Sequence, residues 1–248
     1  MDSRVLRNSQ IIILGVCIAG ATIVSSIILS KGFIRIMKMT KEVITVTGSA
    51  NRQITSDSVS WSASVAVRDP DLAKASKQLA AHFAKLKQYL LAHGVKESEL
   101  TVYQVVLQKL YKKDEHGNDT NEFLEYALTQ NIEVHSADVA GVTRVSREIT
   151  ELIDQGIEVA SAAPSYFYRN LDSLKVEMLA QATENAKQRA AQMAGAAGNH
   201  IGLMRSAKMG VFQITPVTST EVSDYGVNDT ASQEKKVTAV VTASFAIE

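Results

Sequence analysis

Two stretches of this sequence carry residues whose types and spacing suit a chemical role, and the first suits calcium. The ligand positions of a calcium-binding loop can be laid on Asp114, His116, Asn118, Thr120, Glu122 and Glu125. The sixth loop position is Asp119, where the sharp turn requires glycine, and histidine is a poor calcium ligand. The flanking residues also favour strands over helices. The sequence therefore predicts a solvated hairpin loop here.

The second stretch is a row of serines, which would suit nucleophilic hydrolysis. They alternate with apolar residues in SVSWSASVAV and are Ser58, Ser60, Ser62 and Ser64. An activated serine needs a base within hydrogen-bond reach, and no base lies nearby in the sequence. Alternation of this kind is typical of a strand with one buried and one solvated face. We therefore expect a wet strand face and keep a hydrolase only as a remote alternative.

Other residues that commonly carry catalysis or bind metals and cofactors are scattered. No phosphate-binding Gly-x-x-x-x-Gly-Lys-Ser/Thr loop and no Gly-x-Ser-x-Gly motif occurs. The histidines are His82, His93, His116, His135 and His200. None of them is spaced as a pair of metal ligands. We predict no catalytic residue, no cofactor and no metal site, and hence a protein that is not an enzyme.

The N-terminal segment Ile11 to Leu29 is uncharged and long enough for a membrane helix. A lipoprotein leader is excluded because Val16, which precedes Cys17, is not small. Cleavage at the one A-x-A-like site nearby would leave TIVSSIIL at the new terminus, so an uncleaved anchor is favoured over a cleaved signal. We predict an anchor and basic connector over 1–41 and one folded domain over 42–248.

The charge distribution bears on partners and on topology. From Glu42 onward there are 20 basic and 25 acidic residues, a net charge of −5, which argues against nucleic-acid binding. Basic residues are denser after the anchor than before it, which favours a cytoplasmic domain. Long domains cross membranes largely regardless of this rule, so an extracytoplasmic domain stays open.

The order of elements predicted for the soluble part is ββα-ββ-α-β-α-ββ. This indicates an α+β domain, with helices packed on a largely antiparallel sheet. The first soluble helix is expected to begin with Asp69 as its N-cap and Pro70 at its first position. A second helix is expected over about 136–154 and an alanine-rich third one after Asn170.

An aromatic cluster at a predicted strand end, Tyr166, Phe167 and Tyr168, is explained by core packing. The alternative is a ligand or subunit contact. The polar segment 215–236 is longer than most ordered connections, which suggests mobility or contacts. With Tyr225 of that segment, the three aromatic residues form the candidate contact surface.

Three quoted stretches, in this order, resemble the SIMPL-domain family. They are ITVTGSA, TQNIEVHSADVAGVTRVSREITELIDQGIE and LKVEMLAQATENAKQRAAQMAGAAGNHIG. The resemblance spans about residues 42–248, with Ser56 standing where relatives often have proline. It implies an exported envelope protein, linked in some members to oxidative-stress defence and in others to ring- or channel-like oligomers. The family has no established catalytic residues, so it implies none here.

These observations favour a membrane-anchored, extracytoplasmic, non-enzymatic domain. We expect it to self-associate and to serve an envelope or oxidative-stress role. A binding module for a small molecule or an unidentified partner protein is the alternative.

Overall fold

A computed structural model describes residues 3–248, with side chains described for 14–34 and 42–248. Helix α1 runs over Ser3–Lys41. The first predicted anchor residues, 11–13, and the predicted flanking charges lie outside the described side chains; these charges are Arg4, Arg7, Arg35, Lys38 and Lys41. Within α1, Leu14–Ile34 is long and apolar enough to cross a membrane, and none of it is buried by the protein. A signal sequence would have the same properties.

The rest of the chain forms helices and antiparallel sheets, which confirms the predicted α+β class. Helices α2 to α4 span Leu72–Ala92, Val139–Glu148 and Leu171–Ala196, with 3₁₀ turns at Glu97–Glu99 and Ile149–Gln155. Strands β1 to β5 span Val43–Thr55, Ser58–Asp69, Leu100–Val102, Val106–Lys113 and Asp119–Ser136. Strands β6 to β10 span Glu158–Ser161, Ser165–Phe167, Ile201–Met209, Gln213–Pro216 and Glu234–Ile247.

The chain divides into two compact units. One comprises Met1–Ala50, Leu179–Gly210 and Val240–Glu248, and the other comprises Asn51–Met178 and Val211–Ala239. Strands β1 and β10 and helix α4 contribute residues to both units. The second unit, which holds the candidate sites, is called the 51–239 unit below.

The 51–239 unit is built on a six-stranded sheet of order β3-β5-β2-β6, with β4 beside β5 and β7 beside β2. Strand β2 alternates as predicted. Its inward residues are all buried and are Val59, Trp61, Ala63, Val65 and Val67. Helices α2 and α3 pack on this face, with Leu86, Leu90 and Val145 fully buried. The indole of Trp61 donates to Ser161 Oγ and to the Ala162 carbonyl, both at 3.1 Å, so its one polar atom is satisfied.

The other unit buries small side chains. In this unit β10 lies between β1 and β8, whereas the pairing of β9 with residues 235–238 of β10 belongs to the 51–239 unit. Alanines of α4 pack with Val46, Ala243 and Phe245. Gly48 has no room for a side chain, because a Cβ there would run into the backbone of Ala182 and Ala186. The sequence therefore permits a close approach between β1 and α4.

The order of elements and several boundaries differ from the predictions, because three strands lie between α2 and α3 in place of two, two between α3 and α4 in place of one, and three after α4 in place of two. The N-cap of α2 is Asp71, whose carboxylate accepts from Ala73 N at 2.8 Å, and not Asp69. Asp69 instead ends β2, where it pairs with Tyr126. The predicted helix over 136–154 begins only at Val139 and ends in a 3₁₀ turn, because Ser136 still belongs to β5.

The buried stripe of α4 consists of Leu174, Met178, Ala182, Ala186, Ala190 and Ala194. The stripe continues through Ala194 and leaves Met193 more than half exposed.

Candidate functional site

The alternation of inward and outward side chains along β10 places a lysine in the core. Residues of β10 alternate between buried and half-buried, and Val237 and Ala239 face inward. Lys235 is in phase with them and is only 3% exposed. Lysine is almost never this deeply buried unless its charge is paired, so the group requires an explanation.

Backbone oxygens supply the hydrogen-bond partners of Lys235. Its Nζ donates to the carbonyl of Tyr166 at 2.6 Å and to the carbonyl of Asp229. Tyr166 is the middle residue of β7 and pairs with Val59 of β2, and Asp229 lies in the long segment before β10. The lysine thus connects β7 to the segment 217–233.

Burial and a neighbouring carboxylate act in opposite directions on this group. Burial lowers the pKa of Lys235 below its ordinary value, and the charge of Asp229 offsets part of that shift. Burial raises the pKa of Asp229, but hydrogen bonds from Ser232 and Ala231 and the charge of Lys235 outweigh it and leave that pKa lowered. Oδ2 of Asp229 is buried and has no hydrogen-bond partner among the described residues.

A cavity of about 100 Å³ lies against Lys235. Its walls are Ile54, Tyr166, Phe167, Tyr168, Leu171, Ile214, Asn228 and Lys235. Tyr166 is fixed as a wall, since its hydroxyl lies 3.0 Å from Thr143 Oγ1. Phe167 is 42% exposed and lies at the rim. This set of residues is called the Lys235 cavity.

The structure brings three of the four candidate contact residues together. Tyr166, Phe167 and Tyr168 all line the Lys235 cavity, whereas Tyr225 is 97% exposed and is not among its walls. Whether any of the four contacts a partner stays a prediction.

A second polar cluster lies on the wet face of the same sheet. Ser60 Oγ donates to Glu133 Oε1 at 2.8 Å, and the hydroxyl of Tyr103 donates to Glu133 Oε2 at 2.6 Å. Nε2 of His135 lies 3.2 Å from Glu133 Oε1. The ladder between β2 and β5, in which Ser60 pairs with His135, brings these residues together. This set is called the Glu133 cluster.

The Glu133 cluster is poorly suited to activating a serine. Hydrogen bonds from Tyr103 and Ser60, and the proximity of His135, hold the pKa of Glu133 below its usual value, against a smaller opposing effect of burial. A carboxylate with a lowered pKa is a weak general base at neutral pH. Moreover, the glutamate, not the histidine, accepts the hydrogen bond of Ser60, unlike a nucleophile–histidine–acid arrangement.

The predicted calcium-like stretch folds as a hairpin turn. Asp114 Oδ1 accepts from His116 N at 2.9 Å and from Asn118 N at 2.8 Å, so it serves the turn itself. Thr120 and Glu122 already belong to strand β5. Among the residues that the structure describes, no group of three or more His, Cys, Asp or Glu side chains is placed to hold a metal ion.

Beyond Tyr126, the hairpin of β4 and β5 extends past the end of β2. In the described pairings, residues 119–125 of β5 pair with β4 alone. Exposed apolar side chains of this two-stranded ribbon are Tyr111, Phe123 and Leu124, and Val106 and Leu107 are exposed nearer its base, where β5 also pairs with β2. Residues 106–125 are called the outer hairpin.

With this geometry established, comparison with known proteins identifies the family. The model of the SIMPL family, described as a protein of unknown function (DUF541), matches residues 44–245. The chain belongs to the SIMPL family. A search of curated proteins returned no match. Membership confirms the resemblance stated above and leaves the activity of this SIMPL-family chain to be argued from its own residues.

Sequence reasoning on this SIMPL-family chain missed the central group of each cluster. The signal for Lys235 was present in KKVTAVVTA, because Lys235 is in phase with Val237, Ala239 and Val241. Glu133 lies 73 residues from Ser60, and only the register of two distant strands brings them together.

Proposed function

We propose that this SIMPL-family chain is a membrane-anchored, extracytoplasmic, non-enzymatic protein that self-associates and serves an envelope or oxidative-stress role. The observation that carries the proposal is the apolar span Leu14–Ile34, whose side chains find no burial in the protein. Apolar side chains of this number in one helix are stable in lipid and costly in water. An uncleaved anchor over 1–41 and a folded domain over 42–248 are part of the proposal.

Self-association is supported by the outer hairpin. An isolated two-stranded ribbon is marginally stable in water, and exposed apolar patches commonly mark protein contacts. The two strands also carry opposite charge. Strand β4 has Lys109, Lys112 and Lys113, and the facing part of β5 has Asp119, Glu122 and Glu125. Lys112 and Glu122 pair with each other at 2.9 Å, so Lys109 and Lys113 of one copy and Asp119 and Glu125 of another are the residues that complement each other between copies.

Labelling of a single cysteine tests the anchor and its topology. Val222 is 77% exposed, and the native chain has only Cys17, which lies within the proposed span. We expect Val222→Cys to react with a membrane-impermeant maleimide equally in intact and lysed cells, and the native chain in neither. Labelling only after lysis would place the domain in the cytoplasm. An intact mass that lacks the first residues would show cleavage.

Light scattering on the full chain in detergent tests self-association. Tyr111 and Phe123 are cross-strand partners on the outer hairpin. Replacing both with serine is expected to reduce the oligomer to smaller species. The matched control replaces Val176 and Val222, which are more exposed and lie elsewhere in the 51–239 unit. A native chain that is monomeric at high concentration would refute self-association, and equal effects of both double variants would refute the role of the hairpin.

A binding module is the second candidate, and the Lys235 cavity favours it. Small-molecule sites are concave, mostly apolar, and carry a few placed polar groups. The cavity has apolar walls, one buried cation and one amide, from Asn228.

The hydrolase alternative is tested by replacing Ser60, Ser62 and Ser64 with alanine, which we expect to leave the cellular phenotype unchanged.

A further inference from the structure

We propose that the Lys235 cavity binds the carboxylate of a small, partly apolar organic acid, with Lys235 as the cationic partner. This inference rests on the second candidate function, the binding module. It is independent of the anchor and of self-association, because every residue involved lies in the 51–239 unit.

The ammonium group of Lys235 has more hydrogen-bond donors than the described residues use. A lysine ammonium has three N–H donors. Two of those of Lys235 are taken by the neutral carbonyls of Tyr166 and Asp229. No carboxylate oxygen of the described residues lies within 4.0 Å of Nζ. One donor therefore remains for a group in the cavity that Lys235 lines.

The nearest acid, Asp229, does not fill this role. Its Oδ1 accepts from Ala231 N at 2.9 Å and from Ser232 N at 3.3 Å, and it is not among the cavity walls. Through-space attraction from Asp229 opposes the effect of burial on Lys235 without satisfying the third donor. An anion inside the cavity would add the direct charge-assisted hydrogen bond that the protein does not supply.

The side chains that line the cavity determine the chemical nature of the rest of the ligand. Ile54, Leu171 and Ile214 are aliphatic, and the ring of Tyr166 is held in place by Thr143. Asn228 supplies a second polar side chain, whose amide suits the other oxygen of a carboxylate. One cation and one amide among apolar walls match an acid head group attached to a hydrocarbon chain.

The size of the cavity limits the buried part of the ligand. An apolar cavity of roughly 150 Å³ holds benzene, so a cavity of about 100 Å³ takes a smaller molecule. That volume accommodates a carboxylate and two or three carbons. Any longer chain would leave past Phe167, which is 42% exposed at the rim.

A purely structural role for Lys235 is the competing explanation. The lysine would then only connect β7 to the segment 217–233. Lys236 offers a matched control, because its Nζ donates to the carbonyl of Ser219 at 2.7 Å in the same segment but does not line the cavity.

Fluorine NMR on the full chain in lipid nanodiscs tests the proposal with three probes of one shape. These are 4,4,4-trifluorobutyrate, 4,4,4-trifluorobutanol and 4,4,4-trifluorobutylammonium, with protein-free nanodiscs as the blank. We expect the butyrate to bind at least about tenfold more tightly than the alcohol, which corresponds to ~1.4 kcal/mol, and the ammonium not to bind. Equal binding of acid and alcohol, or no binding of the acid, would overturn the proposal.

Two variants then locate the site. Lys235→Met is expected to lose about tenfold in butyrate affinity, the scale of one charge-assisted hydrogen bond, while Lys236→Met stays within about twofold. Equal losses in both variants would assign the lysine a structural role. If Lys235→Met fails to fold by circular dichroism, Leu171→Trp, which narrows the cavity from a partly exposed position, must reduce binding instead. Light scattering on the same samples reports self-association separately, so the two proposals fail independently.

Discussion

The Lys235 cavity and the Glu133 cluster each place one charged side chain among hydrogen-bond partners, but in opposite surroundings. Lys235 is almost completely buried and bonds to fixed backbone carbonyls, whereas Glu133 is partly solvated and bonds to the side chains of Ser60 and Tyr103. Burial opposes the charged form in both. For Glu133 the hydrogen bonds outweigh burial, and for Lys235 burial outweighs the neighbouring charge. Both charges are hydrogen-bonded, so the difference in solvent access decides which charged form is favoured: the charged form of Glu133 is stabilised and that of Lys235 is destabilised.

The largest expected effect comes from removing the buried cation. Lys235→Met deletes two charge-assisted hydrogen bonds and leaves carbonyls at Tyr166 and Asp229 without that donor. We expect the free energy of unfolding at neutral pH to fall by about 2–4 kcal/mol. Urea unfolding of the full chain in nanodiscs, followed by the fluorescence of Trp61, measures it. An unchanged or higher stability would show that desolvation costs more than the bonds contribute.

The stability lost in Lys235→Met is expected to depend on pH, which distinguishes Lys235 from Glu133. Because the folded pKa of Lys235 is lowered, the unfolded chain binds more protons between the folded pKa and the ordinary pKa of lysine, near 10.4. Stability contributed by this group therefore rises with pH across that window. The difference in unfolding free energy between the native chain and Lys235→Met is expected to grow from neutral pH toward pH ~10. A constant difference would mean that the pKa is not lowered.

Replacing Glu133 should lower the free energy of unfolding by less than replacing Lys235, and its effect should change with pH in the acid range. Glu133→Gln keeps the shape and loses the charge, so we expect a loss of about 1 kcal/mol at neutral pH. The folded pKa of Glu133 is lowered, so its contribution is complete above the unfolded pKa near 4.3 and is lost as the pH falls through the folded value. The unfolding midpoints of the native chain and Glu133→Gln should therefore differ at pH 7 and become equal in acid. Midpoints that stay apart in acid would contradict the lowered pKa.

The smallest effect is expected at His135. Its side chain is 58% exposed, and its pairing with Glu133 is in contact with solvent. Exposed ion pairs contribute little, so His135→Gln is expected to change the free energy of unfolding by less than about 0.5 kcal/mol at neutral pH. A larger loss in the same urea titration would assign the histidine a structural share in the Glu133 cluster.

The predictable part of this molecule is the part governed by local pattern. Alternation in SVSWSASVAV predicted the buried and wet faces of β2, and the order of elements predicted the α+β class. Where two local signals competed, the long-range contact decided. Asp69 suits both a helix N-cap and the end of the alternating strand, and its pairing with Tyr126 keeps it in the strand, so that Asp71 caps α2.

The clusters could not be predicted because they depend on strand register. Nothing within ten residues of Ser60 signals that Glu133 will lie opposite it. Tyr166, Phe167 and Tyr168 were identified as candidate contacts, but the lysine that gives their cavity its charge enters from a strand that begins 66 residues after Tyr168.

Gly48 restricts which sequences this fold tolerates. Because a Cβ there would meet the backbone of α4, and not a movable side chain, no rotamer change makes room for alanine. Ala182 and Ala186 share this restriction from the helix side. In a library that samples every residue type at each position, these three sites should therefore accept the fewest substitutions in their unit, although none of them carries a polar side chain.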